Sequence, residues 1–316
     1  MMNFRIPRTA ATSVLALALT AGGAMADAHA DCGIVTFSDV GWTDITATTA
    51  ATTVVLEALG YETETRVLSV PVTYTAMAEG DIDVFLGNWM PTMEADIAPY
   101  RDAGTVDVVR ANLEGAKYTL ATNAVGAELG IADFADIAAH ADDLKAEIYG
   151  IEPGNDGNRL ILDMIGANAF DLAEFEVVES SEQGMLAQVD RLTNREEPIV
   201  FLAWEPHPMN ANFDLTYLTG GDDWFGPDLG GATIYTNTRA GYVDACPNVG
   251  TLLNNLVFSL AMENEIMAAI LDDGMDPDDA ATAWMAANTD DVMAWLDGVT
   301  TLDGGDAVAA VTAALQ

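Results

Sequence analysis

The chain has little of what most enzyme active sites require. Its 316 residues include three histidines, two cysteines and 11 basic side chains. It contains no G-x-S-x-G, H-E-x-x-H or P-loop motif. His29, His140 and His207 are scattered along the chain, which leaves little for acid–base, triad or zinc chemistry. These absences favour a protein that is not an enzyme and that needs no cofactor or metal.

Basic residues are also few relative to acidic ones. The 50 aspartates and glutamates give a formal net charge of −39. Such a field repels nucleic acid and anionic membranes, so we expect neither as a partner, whereas a cationic ligand would be attracted. At seawater ionic strength, however, charges are screened within about 4–5 Å. We therefore interpret the charge as an adaptation to a salty habitat rather than as a signature of the partner.

Long apolar runs are absent after the N-terminus. Arg5 and Arg8 precede a short apolar run at residues 14–19 and then small residues, which predicts a signal peptide over residues 1–30. Two A-x-A cleavage sites, ending at Ala26 and Ala30, remain open. No later stretch approaches the roughly 20 apolar residues of a membrane-spanning helix. We expect an exported protein, located in the periplasm once the signal peptide is removed.

The two cysteines, Cys32 and Cys246, both lie beyond the signal peptide. An even pair in an exported protein favours a disulfide, and two buried free thiols are the alternative. Cys32 lacks the preceding small-residue box that lipidation usually requires. A bridge would return the chain to the domain in which the mature protein begins.

Apolar runs and helical patterns alternate along the chain. From Cys32 to Trp89 the order is β-α-β-α-β, and a second alternating set begins near Tyr118. Two similar segments flank that second set: GAKYTLATN and GGATIYTNTRAG. The sequence predicts an α/β fold with two doubly wound sheets joined by two crossover segments. We expect one lobe over residues 31–117 plus 231–316 and the other over 118–230.

Two exported α/β lobes with a cleft between them have the architecture of a type II periplasmic binding protein. Three tryptophans, Trp42, Trp89 and Trp204, directly follow predicted strands, and Tyr118 lies near the start of the first crossover strand. The carboxyl ends of strands are where open α/β sheets bind ligands. A single tryptophan there usually packs the core, but three equivalent ones predict a cluster of rings at the cleft. The other three tryptophans lack this placement: Trp224, Trp284 and Trp295.

A cluster of indole rings suits a quaternary ammonium ion, which has charge but no N–H donor. Asp44, two residues after Trp42, could favour a cation, although an N-cap role for a helix is an alternative. The loop at residues 152–158 could bind an anion at a helix N-terminus, could be an ordinary tight loop, or could offer Asn155 to a hydroxyl group.

Several long motifs resemble the choline-binding proteins of bacterial ABC importers, which are relatives of the glycine betaine binders. They are FSDVGWTDITATTA, IDVFLGNWMPTMEADIAPY, GAKYTLATN, IYGIEPGNDGNRL, VVESSEQGMLAQV, EPHPMNANF and NVGTLLNNL. The resemblance extends over residues 32–316. The acidic surface departs from that of soil-dwelling relatives.

This resemblance implies a ligand site whose positions can be read off the matching motifs. An aromatic box would consist of Trp42, Trp89, Tyr118 and Trp204, with Asp44 and Asn155 beside the ligand and a Cys32–Cys246 disulfide. It also implies a monomeric receptor that gives choline to an inner-membrane ABC permease. Another methylated amine, such as glycine betaine, carnitine or trimethylamine N-oxide, is the alternative ligand. An exported enzyme acting on choline esters is the alternative from another class.

Overall fold

The structure is a computed structural model that describes Met1, Met2 and residues 32–316. Apart from Met1 and Met2, the predicted signal peptide lies outside these described residues, and so do both cleavage sites. Within the described part of the chain, no helix combines the length and the apolar character needed to cross a bilayer.

The strands and helices alternate as predicted. The strands are β1 (Ile34–Asp39), β2 (Glu62–Val67), β3 (Val84–Met90), β4 (Val106–Asn123), β5 (Glu147–Tyr149), β6 (Glu176–Val178), β7 (Val200–Glu205), β8 (Leu215–Tyr217) and β9 (Gly231–Arg239). The helices of the first two thirds are α1 (Thr43–Ala58), α2 (Val70–Glu79), α3 (Glu94–Ala103), α4 (Ala124–Leu129), α5 (Ala141–Leu144), α6 (Asp156–Gly166), α7 (Glu182–Thr193) and α8 (Met209–Asn212). Those that follow are α9 (Asp222–Phe225), α10 (Pro227–Gly230), α11 (Tyr242–Ala245), α12 (Pro247–Asn255), α13 (Leu260–Leu271), α14 (Pro277–Ala287), α15 (Thr289–Trp295) and α16 (Ala307–Ala314).

The strands form a mixed sheet in the order β2-β1-β3-β9-β4-β7-β5-β6, and β8 pairs with β4. Strands β1, β2 and β3 pair in parallel, as do β5, β6 and β7, whereas β4 and β9 run antiparallel to their neighbours. We call β1, β2, β3 and β9 with their helices the first half, and β5 to β8 with theirs the second half. The two predicted sheets are thus joined into one path by β4.

Strand β4 begins at Val106, earlier than the crossover segment predicted from residue 117. Its first part pairs with β9 as far as Lys117, and its last part pairs with β7 from Lys117 to Thr122. The earlier part contains polar residues such as Asp107 and Arg110 and three register shifts, which obscure its strand pattern in the sequence. Gly230 lies against Tyr118, close to the point at which β4 changes its pairing partner from β9 to β7. A Cβ added to Gly230 would be 1.9 Å from the Tyr118 carbonyl oxygen.

One predicted helix has a different form. Residues 131–144 contain a 3₁₀ helix at Phe134–His140 followed by the short α5. Phe134 and Ile137 are both fully buried, and a 3₁₀ helix aligns residues three apart on one face. The sequence pattern alone does not distinguish this tighter turn from an α-helix.

Helix α1 is buried along most of its length although it is rich in threonine. The hydroxyl groups of Thr48, Thr52 and Thr53 donate to carbonyl oxygens three or four residues earlier, at 2.8–3.3 Å. These bonds satisfy three of the buried hydroxyls of the helix, which packs against α13 and α14.

The two cysteines form a disulfide, Cys32–Cys246, which confirms the predicted pairing and excludes the two free thiols. The bridge joins the segment before β1 to the residue before α12. Helices α13, α14 and α16 contact α1, so the helical C-terminal part packs on the first half.

Candidate functional site

Four aromatic rings meet at the boundary between the two halves. Trp42 lies between β1 and α1, Trp89 in β3, Tyr118 in β4 and Trp204 in β7, and each is at most 5% exposed. Tyr118 and Trp204 are direct partners in the β4–β7 register. The centroid of the Tyr118 ring is 5.9 Å from that of Trp89 and 6.2 Å from that of Trp204, both in edge-to-face arrangements. The structure thus brings together the four predicted rings.

These rings line a small cavity of about 10 Å³, measured as the space open to the centres of water-sized molecules. Its remaining lining residues are Asp44, Ile151, Asn155 and Asp156. All six predicted ligand-binding residues therefore line one cavity, and no lining residue is basic. The other three tryptophans, Trp224, Trp284 and Trp295, do not line it. This volume is far below the 300–1,000 Å³ of sites for drug-sized ligands.

Asp44 is not the N-cap of α1, because Trp42 occupies that position. Its Oδ2 atom accepts a hydrogen bond from Trp89 Nε1 at 3.1 Å, and its Oδ1 atom is buried without a hydrogen-bond partner. Burial, together with the charge of Glu182, raises the pKa of Asp44 to about 8. A buried carboxylate oxygen without a partner is unfavourable, and a cation in the cavity would stabilise it.

Asn155 is the N-cap of α6, and its side chain also reaches the box. Its Oδ1 atom accepts hydrogen bonds from the Asn158 backbone N–H at 3.1 Å and from the Tyr118 hydroxyl at 2.9 Å. Its Nδ2 atom donates to Asp156 Oδ1 at 3.2 Å. This close approach requires Gly157, where an added Cβ would be 2.1 Å from the Tyr118 hydroxyl oxygen.

Asp156 was not predicted as a site residue, although it lies within the loop singled out by its glycines. It is fully buried, and its Oδ2 atom makes no hydrogen bond. Burial raises the pKa of Asp156 to about 6, and the nearby Thr92 hydroxyl opposes this rise only in part. That hydroxyl donates a hydrogen bond to the Trp89 carbonyl oxygen. Adjacency to Asn155 was the available signal, but among 50 acidic residues it carried little weight.

Several polar contacts join the two halves around the cavity. Trp42 Nε1 donates to Glu152 Oε1 at 2.9 Å, and the Thr43 backbone N–H donates to Glu182 Oε2 at 2.9 Å. Arg159 Nη2 donates to the Thr92 carbonyl oxygen at 3.0 Å and to Asp96 Oδ2 at 2.9 Å. The cleft is therefore closed, and Glu152, Glu182 and Arg159 are further residues that sequence reasoning did not identify.

The groups that line the cavity are aromatic rings, two carboxyl groups, one amide and one aliphatic side chain. Within residues 32–316, no group of three or more His, Cys, Asp or Glu side chains is arranged to hold a metal ion. His207 is buried beside Glu182, and His140 lies 3.5 Å from Asp143 on the surface. Neither histidine lines the cavity.

Comparison with known proteins agrees with this geometry. Residues 33–287 match the family described as the substrate binding domain of ABC-type glycine betaine transport systems. An ABC-transporter choline binding protein in complex with choline is 70% identical over 90% of this chain and 99% of its own, with a TM-score of 0.90. An unliganded semi-closed conformation with the same identity and coverage has a TM-score of 0.83.

A shorter match comes from Chromohalobacter salexigens. Its uncharacterized protein ORF1 is 52% identical over 130 residues, which are 41% of this chain and 84% of that protein. Because the family match extends over well more than half of the chain, the protein belongs to the substrate-binding domains of ABC-type glycine betaine transport systems.

Proposed function

We propose that this protein is a periplasmic receptor that captures choline between its two lobes and delivers it to an ABC permease. The observation that carries the proposal is the closed cavity lined by four aromatic rings and by Asp44. The similarity to a choline binding protein that was solved with choline supports the same ligand.

The trimethylammonium group would lie among Trp42, Trp89, Tyr118 and Trp204. Hydrogen bonds cannot hold this group because it has no N–H donor. Ring faces attract it by roughly 0.5–2 kcal/mol each, and more strongly where water is excluded. Four contributions of this size total about 2–8 kcal/mol, and the upper end approaches the −8.2 kcal/mol of micromolar binding before the losses of entropy on association.

The hydroxyl group of choline would lie at the opposite end of the cavity from the methyl groups. There Asp44 offers the unpartnered Oδ1 acceptor. Asn155 carries two amide protons on Nδ2, and its hydrogen bond to Asp156 uses one of them. A hydroxyl can accept from the second proton and donate to Asp44, which satisfies both groups.

The same carboxylates disfavour glycine betaine. Its carboxylate would approach Asp44 and Asp156 in a cavity that no basic side chain lines. Repulsion between buried like charges is costly. Carnitine meets the same objection. Trimethylamine N-oxide carries its oxygen directly on the nitrogen, so that oxygen cannot reach the far end of the cavity while the methyl groups lie among the rings.

An enzyme acting on choline esters is a weaker alternative. Such a reaction needs a nucleophile or an activated water, and the cavity lining contains no serine, cysteine or histidine. We therefore propose binding without chemistry, by a monomer that needs neither cofactor nor nucleic acid.

Lobe motion would connect binding to transport. We propose that residues 31–117 plus 231–316 and residues 118–230 rotate about the crossings near Lys117 and Gly230. Each lobe contributes only part of the box, so the ligand stabilises the closed form through contacts that the open form lacks. A permease would recognise that closed form.

Calorimetric titration tests the ligand assignment. Protein freed of ligand by unfolding and refolding is titrated with choline, glycine betaine and trimethylamine N-oxide at seawater ionic strength. We expect choline to bind at least about tenfold more tightly than either competitor, a difference of about 1.4 kcal/mol. Equal or tighter binding of a competitor would contradict the assignment of Asp44 and Asn155 to the hydroxyl end.

Replacing Asn155 with serine tests the hydroxyl contact itself. Serine is a good N-cap, so α6 should be kept, while the amide donor is lost. We expect choline affinity to fall by about 1 kcal/mol or more, and that of tetramethylammonium, which has no hydroxyl, to change little. Equal losses for both ligands in calorimetry would mean that Asn155 acts only through the structure of the loop.

A further inference from the structure

The closed cleft brings carboxyl groups from both halves together. The first half contributes Asp44 on α1 and Asp96 on α3, and the second half contributes Glu152, Asp156 and Glu182. Glu182 is 1% exposed, and its carboxylate accepts two hydrogen bonds from Thr43, one from the backbone N–H and one from the hydroxyl. It is thereby fixed at the N-terminus of α1, beside Asp44.

The groups that face Asp44 are themselves acidic or neutral. Glu182 faces it from α7, and Glu263, which is also buried, faces it from α13. His207 lies behind Glu182, with Nε2 3.3 Å from Glu182 Oε1. The Met209 backbone N–H donates to His207 Nδ1 at 2.9 Å, which leaves Nε2 to face Glu182. Asp39, hydrogen-bonded to Thr46 and Gly41, adds a further negative charge near Glu182.

The groups around Asp156 include one cation. Asp96 faces Asp156 across the cleft, and Glu152 lies earlier in the same loop as Asp156. Arg159 lies one turn further along α6. The guanidinium of Arg159 is paired with Asp96 at 2.9 Å. In the described part of the chain, Arg159 is the one Lys or Arg side chain that forms an ion pair with any of these carboxyl groups.

We propose that the cleft closes only around an added positive charge, which is either the quaternary ammonium ion or a proton on the cluster of Asp44, Glu152 and Asp156 that lies beside Glu182. This rests on the proposed function and names Asp156 and Glu182 as further residues that determine specificity. The closed complex with a neutral occupant then holds about one more proton than the closed complex with choline. Charge, in addition to shape, selects the ligand, and the selection depends on pH.

The direction of the pH dependence follows from linkage. Without a cation in the cavity, burial raises the pKa of Asp44 to about 8, that of Glu152 to about 7 and that of Asp156 to about 6. A bound cation lowers these pKa values, because it favours the charged form. Below about pH 8 a neutral occupant keeps the proton on Asp44, whereas a cation displaces it. Preference for the cation therefore rises with pH up to about 8 and levels off above it.

The probe is 3,3-dimethylbutan-1-ol, in which carbon replaces the nitrogen of choline with little change in shape. The dissociation constants of both ligands are measured by calorimetry at about pH 6, 7 and 8, with the weak alcohol measured by competition against choline. The ratio of the two constants does not depend on the state of the free protein, since both ligands start from it. We expect the preference for choline to increase up to about tenfold per pH unit for one proton.

Proton counting and a variant provide the controls. Titrations near pH 7 in two buffers of different ionisation enthalpy give the number of protons taken up on binding. Binding of the alcohol should take up more protons than binding of choline. In Asp44→Asn the preference for choline should be smaller and its pH dependence reduced, because the group with the highest pKa cannot titrate. Lys145→Gln, which removes a surface ion pair with Glu197 away from the cavity, should keep the native pH dependence.

Three results would overturn the inference. One is a preference for choline that stays constant from about pH 6 to 8, and another is equal proton uptake with both ligands. The third is failure of the alcohol to compete with choline for the site even at about pH 6, although choline itself binds. Absence of choline binding at every pH would instead refute the proposed function, and the inference with it.

Discussion

Replacing Trp89 with alanine is expected to weaken choline binding by about 2–3 kcal/mol, or roughly 30- to 150-fold. The indole has two roles, since its ring lines the cavity and its Nε1 atom donates to Asp44 Oδ2 at 3.1 Å. The substitution removes a cation–π contact of about 0.5–2 kcal/mol and buried apolar surface. It also removes the hydrogen bond that Asp44 accepts. Loss of this bond further favours the protonated form of Asp44, which attracts a cation less strongly.

The matched control is Trp284→Ala. Trp284 Nε1 also donates to a carboxylate, Glu265 Oε2, at 2.8 Å, but on the surface and away from the cavity. Calorimetry should show native affinity for this variant. Trp89→Phe keeps a ring and loses the N–H, so its affinity should lie between those of native protein and Trp89→Ala. If choline binds equally well to Trp89→Ala and to the control, Trp89 is a packing residue and the aromatic box is wrong.

Replacing both cysteines with serine is expected to lower the free energy of unfolding by about 2–5 kcal/mol. The disulfide closes a loop between residues 214 apart in sequence, and it restricts the unfolded chain more strongly the longer that loop is. It also holds the start of β1 to the C-terminal helices. Urea unfolding of the ligand-free Cys32→Ser/Cys246→Ser variant measures the loss.

The reducing agent supplies the control for this prediction. Native protein under reducing conditions should unfold at about the same urea concentration as the double variant, and the variant should not respond to the agent. Choline affinity of the folded variant should stay near native, because neither cysteine lines the cavity. Coincident unfolding curves for oxidised and reduced native protein would show that the bridge does not contribute to stability.

Local patterns predicted much of this architecture. The apolar pattern of β3 and the helical pattern of α1 are each formed by consecutive residues, so the type of secondary structure does not depend on distant partners. The tryptophans that follow β1 and end β3 and β7 were informative for the same reason, because the carboxyl ends of strands converge in any open α/β sheet. Their burial around one cavity agrees with that expectation.

The parts that the sequence left open depend on contacts between distant segments. The early start of β4 depends on pairing with β9, which lies more than 100 residues later. The role of Asp44 depends on Trp89, which approaches from another strand. Nothing local separates Asp156 or Glu182 from the many other acidic residues, because their importance comes from burial beside other carboxyl groups.

The sequence by itself predicted export, and it specified the α/β class and the rings that line the cavity, because targeting segments, periodicity and strand ends are properties of neighbouring residues. The tertiary structure decided which of the acidic groups surround the cavity and how strongly each holds a proton. Desolvation and charge–charge interaction are set by distance and burial in space, and neither can be read from the order of residues along the chain.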